Sequence, residues 1–513
     1  EDISINGRKL LAFSDSRKEA AHFASYMDIR YNNYLWRKII LDALDSLGNT
    51  TDVTFSKLHT RIYKDIESQK DLLIDSGEDI DETISAYIMY ELMSFERAVG
   101  LEGVGLISFE FPQPKWWPKG ISICNLNSQE VWNIIEQFFN GFRIYRSINF
   151  PDNLRQEHTI FGQRTKPIYF RFADADTSKG IMSIKPKENY SNMRFDYLVK
   201  IFKKKGYDET TAKEYANEFL DKIFNDMNLI KLFKKDNTYI STFIKNEGDV
   251  YQLNYNKWLF KRDKKIFRCN KCGKKTTINI NGVCPSYRCN GTLEKFNKEV
   301  SRYTYYSDIY NNIKKIPMKI KEHTAQLSTQ HASEVQSSFE KGEVNILSCS
   351  TTFEMGVDVG SLEAVFLRNI PPETANYIQR AGRAGRRTES TAYILTYAKR
   401  RSHDLYYFQR PERLIDGKIK APYIERNNEK IAFRHMCSVV FSWLFRKDSK
   451  YFENVEMMFA FNKNFISIDK KLRQELSLRP AEILKSLKNI LDVELQKLFD
   501  IDNWTWVESR LLN

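Results

Sequence analysis

Hydrophobic and polar positions along the chain follow two periodicities, which together predict an α/β domain in two separated pieces. A short apolar run at 10–13 precedes a Ser/Asp turn and then a helix-spaced apolar pattern, and Ser14 or Asp15 is expected to cap that helix. Far downstream, short apolar runs predict further buried strands at 344–350, 362–370 and 391–398. Short buried strands that alternate with helices are typical of a parallel sheet, so residues 1–30 and 298–405 are assigned to one domain.

The long interruption has its own pattern. Residues 31–191 are mostly helix-spaced, whereas 192–260 carry two helical patterns and then alternating residues typical of a β-hairpin. Helices followed by a hairpin are the order of a winged helix, a common nucleic-acid reader, although a plain α+β packing element would give the same order. After the second piece of the α/β domain the pattern becomes helical again, at 406–513.

Composition narrows the functional class. The 513 residues are 42% hydrophobic and carry a net charge of +13, and no apolar run is long enough to cross a bilayer. A basic excess of this size favours nucleic acid as the partner, because Lys and Arg release counterions from a phosphate backbone. A Lys- and Asn-rich proteome would leave the same excess. The beginning of the sequence, close to a strand and without a Met, suggests a fragment of a longer chain.

Four of the seven cysteines have the spacing of a metal site. Cys269, Cys272, Cys284 and Cys289 form C-x2-C-x11-C-x4-C, and two such turns close a tetrahedral site. Four protein ligands leave no position for water, so a structural Zn²⁺ in a ribbon at 261–297 is predicted; two coincidental pairs are the alternative. The other cysteines are dispersed, which favours a reducing, cytoplasmic location over a disulfide scaffold. Lysines in the ribbon could contact nucleic acid or form a solvated face.

The segment 344–387 carries groups suited to phosphate. Ser350, Thr351 and Thr352 follow a predicted strand and offer hydroxyls and main-chain N–H groups to a nucleic-acid backbone. Gly356 permits close approach of the backbone, and Asp358 can accept a hydrogen bond from a ribose hydroxyl.

Arg383 and Arg386 lie three positions apart, so a helical or turn-like backbone points both guanidinium groups to one side. Two such forks can neutralise the charge that develops on a γ-phosphate during transfer.

Three motifs in this order resemble the second RecA-like domain of superfamily 2 DEAD/DEAH-type helicases. "LLAFSDSR" is similar to motif IV, "STTFEMGVDVG" to motif V and "QRAGRAGR" to motif VI. The resemblance implies an ATP-dependent nucleic-acid helicase or translocase, with DNA as the expected substrate. It places Arg383 and Arg386 as arginine fingers and Gln379 as a nucleotide sensor or bridge to the partner domain. On the nucleic-acid side it places a set of residues, Ser14, Ser16, Arg17, Gln326, Ser350, Thr351 and Thr352, and on the ATP side Gly356 and Asp358.

No G-x-x-x-x-G-K-[ST] loop and no strand ending in a DEAD or DEAH motif occurs in these residues. We therefore expect this segment to be inactive alone and to supply half of a bipartite site. The other half, an N-terminal RecA-like lobe upstream on the same polypeptide, would hold most of the ATP and Mg²⁺. A non-hydrolysing nucleic-acid-binding module is the alternative; a nuclease is disfavoured, because no carboxylate or His cluster is visible.

The large insertion and the tail after motif VI resemble the bacterial Mrf-type repair helicases that carry a cysteine-rich MZB module, a group that includes antiphage helicases of the Druantia and DISARM type. That resemblance implies a defence role with possible partner subunits, or else DNA repair. No second Cys₄ cluster follows residue 405, so the MZB module is either absent or beyond residue 513. The Lys-rich stretch "KIFKKKG" favours a contact of the insertion with duplex nucleic acid or with the displaced strand. The alternative is that the insertion is a scaffold for partner subunits.

Overall fold

The computed structural model describes residues 9–48, 52–67, 79–94, 96–118, 120, 122–162, 168–173, 175–176, 178–223, 239–245, 248–262, 265–296, 304–313, 318–351, 362, 364–385, 392–417, 419, 428–453, 459–462, 465–468 and 470–512. The chain divides into two units, Glu1–Asp416 and Gly417–Asn513. No helix among the described residues is long and apolar enough to span a membrane.

The first unit mixes strands and helices. Its strands are β1 Leu10–Phe13, β2 Ser108–Glu110, β3 Tyr169–Arg171, β4 Ile181–Ser183, β5 Ile240–Lys245, β6 Gly248–Leu253, β7 Leu259–Lys261, β8 Phe267–Cys269, β9 Lys275–Thr276, β10 Leu293–Lys295, β11 Ile320–His323, β12 Ile346–Cys349, β13 Ala364–Leu367 and β14 Tyr393–Thr396. Its helices are α1 Arg17–Leu47, α2 Phe55–Ile66, α3 Ile80–Leu92, α4 Leu101–Val104, α5 Ser128–Ile144, α6 Met193–Lys204, α7 Glu209–Asp221, α8 Thr304–Asn312, α9 Thr329–Lys341, α10 Thr374–Ala381, α11 Ser402–Gln409 and α12 Glu412–Ile415.

A five-stranded parallel sheet in the order β11-β12-β1-β13-β14 forms the α/β part of this unit. Strand β1, the first strand among the described residues, is therefore its centre, paired on one side with β12 and on the other with β13. The strands expected at 10–13, 344–350, 362–370 and 391–398 are confirmed, each within a few residues. The edge strand β11 was not predicted. The α/β domain in two pieces is thus confirmed, and it has the RecA-like architecture expected from the motifs.

Both faces of this sheet are covered by helices, as a parallel sheet requires. On one face Leu11, Phe13 and their neighbours on β12 and β13 pack against Val335 and Phe339 of α9 and Tyr377 of α10. On the opposite face Leu10 and its neighbours pack against α1. Successive side chains on a strand point to opposite faces, which explains why the buried positions run without interruption along β1 and β12.

Helix α1 joins the sheet to the insertion. Ser16, rather than Ser14 or Asp15, caps it, accepting a hydrogen bond from the Glu19 main-chain N–H, so the capping prediction was wrong. Residue 30, the expected boundary of the first piece, lies inside this 31-residue helix. The amino-terminal half of α1 therefore covers the sheet, while Leu35, Trp36 and later residues enter the core of the insertion.

The largest apolar core among the described residues lies in the insertion, and buried arginines, among them Arg37 and Arg143, cross it. Arg37 donates to Glu91 Oε1 (2.7 Å), to Glu96 Oε2 (2.6 Å) and to the Tyr310 hydroxyl (3.1 Å). Arg143 donates to Glu102 Oε1 (2.6 Å). Burial of a charge is tolerated only with such partners. The contacts of Arg37 therefore fix α1, α3 and α8 relative to one another, and the contact of Arg143 fixes α5 to α4.

The winged-helix-like order predicted for 192–260 is present, as α6 and α7 followed by the antiparallel hairpin β5–β6. The hairpin extends a four-stranded sheet in the order β4-β3-β6-β5, in which β6 pairs with β3 through Phe170 and Tyr251. Two strands of that sheet therefore come from outside the predicted segment.

The second unit contains α13 Glu429–Lys447, β15 Phe459–Asn462, β16 Phe465–Ile468, α14 Lys470–Ser477, α15 Ala481–Ile490 and α16 Val493–Leu498. Ala432, Met436, Val440 and Leu444 recur every four residues along α13 and form one side of its core. The helical tail is thus confirmed, with the β15–β16 hairpin as an addition that was not predicted. The predicted start of the tail, residue 406, lies inside α11, and both α11 and α12 belong to the first unit.

Candidate nucleotide and nucleic-acid site

The carboxyl ends of the parallel strands meet at one edge of the sheet, the edge at which ligands bind in open α/β folds. Ser14 follows β1, Ser350 and Thr351 follow β12, and Gln326 lies three residues beyond β11. Strand β1 pairs with β12, and β12 with β11. Residues predicted from widely separated motifs are thereby brought to one edge.

The predicted nucleic-acid residues at this edge differ in exposure. Ser14 and Ser350 are fully buried. The Ser14 main-chain N–H donates to Cys349 O (2.9 Å), and its hydroxyl donates to Glu19 Oε2 (3.3 Å). Ser14 therefore holds the β1 turn in place. A second set of the predicted residues is exposed, Ser16, Arg17, Gln326 and Thr351.

Part of motifs V and VI falls outside the described residues. Thr352, Gly356, Asp358 and Arg386 belong to this part, so their predicted roles remain predictions.

Motif VI begins on α10 and continues into a turn. Gln379 is exposed on the helix, and Arg383 is half-buried in the turn that follows Ala381. Gly385 has a φ of +76° and donates its N–H to Leu362 O (3.0 Å), which fastens the turn to a residue two positions before β13. A Cβ at this glycine would lie 2.7 Å from Ala392 Cβ, so the turn requires glycine both for its conformation and for space.

Arg380 connects motif VI to motif IV, which the sequence did not reveal. Its side chain is 1% exposed, its Nη2 donates to Asp15 Oδ1 (2.6 Å), and its guanidinium lies over the Phe13 ring. Asn369, which follows β13, donates from Nδ2 to Asp15 and accepts from the Asp15 N–H (3.2 Å). Residues 365 positions apart thus tie the turn after β1 to the helix that precedes Arg383. A sequence signal existed, since an arginine inside a helix facing the sheet needs a carboxylate.

A second ion pair lies beside the first turn of α1. Lys399, after β14, donates to Glu19 Oε2 (2.7 Å), and Arg368, after β13, donates to Glu19 O (2.7 Å). The hydrogen bond from Lys399 is the main cause that lowers the pKa of Glu19. The segment beyond β14 is therefore attached directly to the turn that carries Ser16 and Arg17.

The four cysteines of the ribbon converge as predicted. Their Sγ atoms all lie within 4.8 Å of one another, with Cys269 and Cys289 3.7 Å apart and Cys272 and Cys284 3.5 Å apart. A tetrahedral ion with Zn–S bonds of about 2.3 Å separates its sulfurs by about 3.8 Å, so the donor set fits Zn²⁺.

The ribbon backbone leaves room for the cysteines. Gly273, which follows the first cysteine pair, has a φ of +72° and donates its N–H to Cys269 O (3.0 Å). A Cβ at Gly291 would lie 2.4 Å from Cys269 Sγ. Burial alone would raise the pKa of the Cys272 thiol, but hydrogen bonds involving Ser286 and the Lys274 main chain lower it to about 6, which favours the thiolate that metals bind.

The ribbon docks onto the insertion through its lysines and its second cysteine turn. Lys275 donates to Gly103 O and lies 4.4 Å from the centre of the Phe296 ring. From α6, Lys200 donates to Ser286 O (2.8 Å) and to Cys289 O (3.2 Å). These contacts give the ribbon a structural place in the insertion, and they show that Lys275 is not part of a free basic face. Lys271 is exposed.

The lysines of "KIFKKKG" are largely paired within the chain. Lys200 lies 3.0 Å from Asp196 Oδ2, Lys203 3.4 Å from Glu209 Oε2, and Lys205 2.9 Å from Glu130 Oε1. This reduces the positive charge that the end of α6 offers to a duplex, and so weakens the expectation that this helix contacts nucleic acid.

Comparison with known proteins agrees with the geometry of the sheet edge. Residues 288–388 match the family described as helicase conserved C-terminal domain. Druantia protein DruE of Escherichia coli (strain UMEA 4076-1) is 41% identical over 153 residues, 27% of this chain and 8% of DruE. ATP-dependent helicase Lhr-Core of Methanocaldococcus jannaschii is 27% identical over 135 residues, 26% of this chain and 16% of that protein. A crystal structure of the DUF1998 helicase MrfA bound to DNA and AMPPNP is 16% identical, with a TM-score of 0.22 over 29% of this chain and 22% of that chain.

Residues 288–388 thus match a helicase C-terminal domain, and β1 completes the parallel sheet that their strands form. Over 27% and 26% of its length, respectively, the chain is similar to the Druantia protein DruE and to the helicase Lhr-Core. The matched region spans less than a fifth of either curated relative's length.

Proposed function

We propose that this chain is the second motor lobe, with accessory domains, of an ATP-dependent DNA helicase or translocase. One observation carries the proposal: the contact of Arg380 with Asp15 fastens the turn of Arg383 to the edge that gathers the ends of β1 and β12. Motion of the turn that carries Arg383 would thereby be transmitted to the sheet edge that binds nucleic acid, and a motor lobe requires such a connection.

On the nucleic-acid side, the exposed Arg17, Gln326 and Thr351 contact the phosphate backbone, together with Ser16 and Thr352. The buried Ser14 and Ser350 position the turns that carry these contacts. Because these groups address the backbone and not the base edges, binding at this edge is insensitive to sequence.

On the nucleotide side, Arg383 and Arg386 act as fingers on the γ-phosphate, and Gln379 senses the nucleotide or bridges to the other lobe. Gly356 and Asp358 complete the ATP side. A second RecA-like lobe on the same polypeptide supplies the phosphate-binding loop and the carboxylates that hold Mg²⁺. ATP thus binds between two lobes, of which this chain provides one.

The Cys₄ ribbon holds a structural Zn²⁺ at Cys269, Cys272, Cys284 and Cys289. The ion supplies no catalytic chemistry, because four thiolates leave it no open coordination position. Its role is to fix the second cysteine turn, onto which Lys200 of α6 is bonded.

Arg383→Ala, introduced into the polypeptide that carries both lobes, tests the finger assignment. We expect DNA-stimulated ATP turnover to fall about 10³-fold or more while DNA affinity stays within a few-fold of wild type. Arg446→Ala, which removes an exposed arginine of α13, is the matched control and should leave both quantities unchanged. Wild-type turnover in Arg383→Ala would refute the assignment. Undetectable ATP turnover by the unmodified two-lobe polypeptide would instead favour a non-hydrolysing binding module.

We favour antiphage defence as the biological role. The alternative is DNA repair, the role implied by the resemblance to Mrf-type helicases. The 41% identity to the Druantia protein DruE supports the first role. A plaque assay on cells that carry the intact system or its Arg383→Ala variant separates the two. Equal phage resistance with and without the finger would argue against a defence role for the motor.

A further inference from the structure

The segment that follows β14 exposes cations and aromatic rings together. Arg400, Arg401 and Arg410 are exposed, and so are Tyr397 (59%) and Phe408 (71%). We call these five residues the β14–α11 surface. No carboxylate of the described residues forms an ion pair with its three arginines.

This surface lies at the same edge of the sheet as the nucleic-acid residues. Tyr397 directly follows β14, whose parallel pairing with β13 brings its carboxyl end to that edge. Lys399 is held by Glu19 in the first turn of α1, at 2.7 Å, next to Arg17. The surface therefore continues the edge that the proposed function assigns to the phosphate backbone.

The local fold holds the surface in this position. The Lys399 N–H donates to Asp404 Oδ2 (2.8 Å), so a buried carboxylate closes the turn that carries Arg400 and Arg401. His403 lies 3.4 Å from Pro372 O in the loop after β13. Thr374 of α10 donates to Arg413 O (3.2 Å). The start of α11 is thus attached to the loop before α10, and the following helix α12 is attached to α10 itself, so the arginines do not depend on a loose tail for their location.

Helix α11 has an arginine at each end, because Arg401 is its N-cap and Arg410 its C-cap. Leu405 and Phe408, three positions apart on the helix, share one face. Arg410 lies over the Tyr406 ring at 5.1 Å from its centre. Guanidinium groups next to exposed rings are the elements with which proteins hold single strands, as cations neutralise phosphates and rings stack on bases.

The charge of the segment decides between possible occupants. Residues 397–413 contain five cations and two carboxylates, and one of those carboxylates, Asp404, is buried. Arginine and aromatic residues are also common at protein–protein interfaces, so the excess of cations and the continuity with the proposed phosphate-binding edge are what favour a polyanion that presents bases for stacking.

We propose that the β14–α11 surface binds single-stranded nucleic acid, with Arg400 and Arg401 on phosphates and Phe408 stacked on a base. This inference rests on the proposed function. The bound nucleic acid would then run from the sheet edge at Arg17 across the end of β14 and along α11. This region lies outside the three helicase motifs.

The test measures affinity of the chain for a dT oligonucleotide and for a matching rU oligonucleotide by fluorescence anisotropy, over a series of salt concentrations. Arg400→Ala/Arg401→Ala should weaken binding and reduce the slope of log K against log salt by about 1.4, since each single-strand phosphate contact contributes about 0.7. Phe408→Ala should weaken binding about tenfold without changing the slope, because a stacked ring carries no charge. Equal losses with dT and rU identify a surface that does not distinguish DNA from RNA, and a loss with one of them names the preferred strand.

The matched control is Lys319→Ala/Lys341→Ala, which removes two exposed cations at the opposite, amino-terminal edge of the sheet. A salt slope in Arg400→Ala/Arg401→Ala equal to that of the wild type and this control would overturn the inference. Loss of complex formation with another protein, with nucleic-acid affinity unchanged, would likewise overturn it and identify a protein-docking surface.

The same variants separate this inference from the proposed function. In the two-lobe polypeptide, Arg400→Ala/Arg401→Ala should raise the DNA concentration needed for half-maximal ATP turnover and leave the maximal rate unchanged. Arg383→Ala should do the reverse. Failure of the first result with success of the second would remove the β14–α11 surface and leave the motor assignment intact.

Discussion

Replacement of Asp15 by Ala tests whether the position of the turn that carries Arg383 depends on the turn after β1. Asp15 accepts hydrogen bonds from Arg380 Nη2, at 2.6 Å, and from Asn369 Nδ2. Each hydrogen bond to a charged group contributes about 1.5–3 kcal/mol. The Asp15 side chain is 40% exposed, so water compensates part of this loss. We therefore expect the free energy of unfolding of the first unit to fall by about 2–3 kcal/mol.

The same substitution should impair turnover more than DNA binding. Arg380 occupies the last turn of α10, three residues before Arg383, so loss of its partner allows that turn to shift. A displacement of about 1 Å in a catalytic group can cost about 100-fold in rate. We expect ATP turnover of the two-lobe polypeptide to fall by up to that factor, with DNA affinity within a few-fold of wild type.

Urea unfolding of wild type, Asp15→Ala, Arg380→Ala and the double variant gives the coupling energy of the pair, expected at about 1–3 kcal/mol. Asp502→Ala is the control, because it removes a surface pair with Lys488 (2.5 Å), worth less than about 1 kcal/mol. An Asp15→Ala protein as stable and as active as this control would refute the reasoning.

Three further expectations follow from single sites. Burial raises the pKa of Glu136 from 4.5 to about 7. Between these two pH values the folded unit binds more protons than the unfolded chain, so the free energy of unfolding falls as the pH rises from 4.5 to about 7. Glu136→Gln should accordingly stabilise the unit by about 3 kcal/mol at pH 8 and be neutral at pH 4, and equal denaturation midpoints for the two proteins at pH 8 would contradict this. Metal analysis should find one Zn²⁺ per chain, and Cys284→Ser should release it and expose the ribbon to protease; a protein that keeps its zinc would disprove the Cys₄ site. Gly385→Ala should cost about 1–3 kcal/mol and lower ATP turnover, given its φ of +76° and the contact with Ala392, whereas Gly120→Ala, in open space, should do neither.

Local pattern was sufficient to predict much of the fold. Four strands of the central sheet are short apolar runs between turn residues. The two-residue spacer between paired cysteines lets both thiolates of a turn face one metal ion, so this site is also encoded locally. The helix–helix–hairpin order of 192–260 was readable for the same reason, because period and breakers are local properties. The capping residue was missed because Ser14, Asp15 and Ser16 are all residue types that cap helices well, and the sequence does not show which of them accepts from the first turn.

The candidate site was predictable in its residue types and not in its contacts. Motif order alone indicated that Arg383 and the serines and threonines belong to one site. It could not indicate that Ser14 is buried, or that Lys275 is bonded to Gly103. Burial and hydrogen-bond partners depend on which distant segment packs against a residue, and a single sequence does not show which segments are in contact.

The sequence by itself therefore determined the match to a helicase C-terminal domain, the cysteine cluster and most strands of the sheet, since each is encoded within a short stretch. Only the tertiary structure decided that β1, the first strand among the described residues, is the centre of a sheet whose other strands begin more than 300 residues later. The same packing pairs Arg380 with Asp15, and Lys399 with Glu19. The physical reason is that a buried strand or charge specifies what kind of partner it needs, whereas the identity of that partner is set by the closure of the whole sheet.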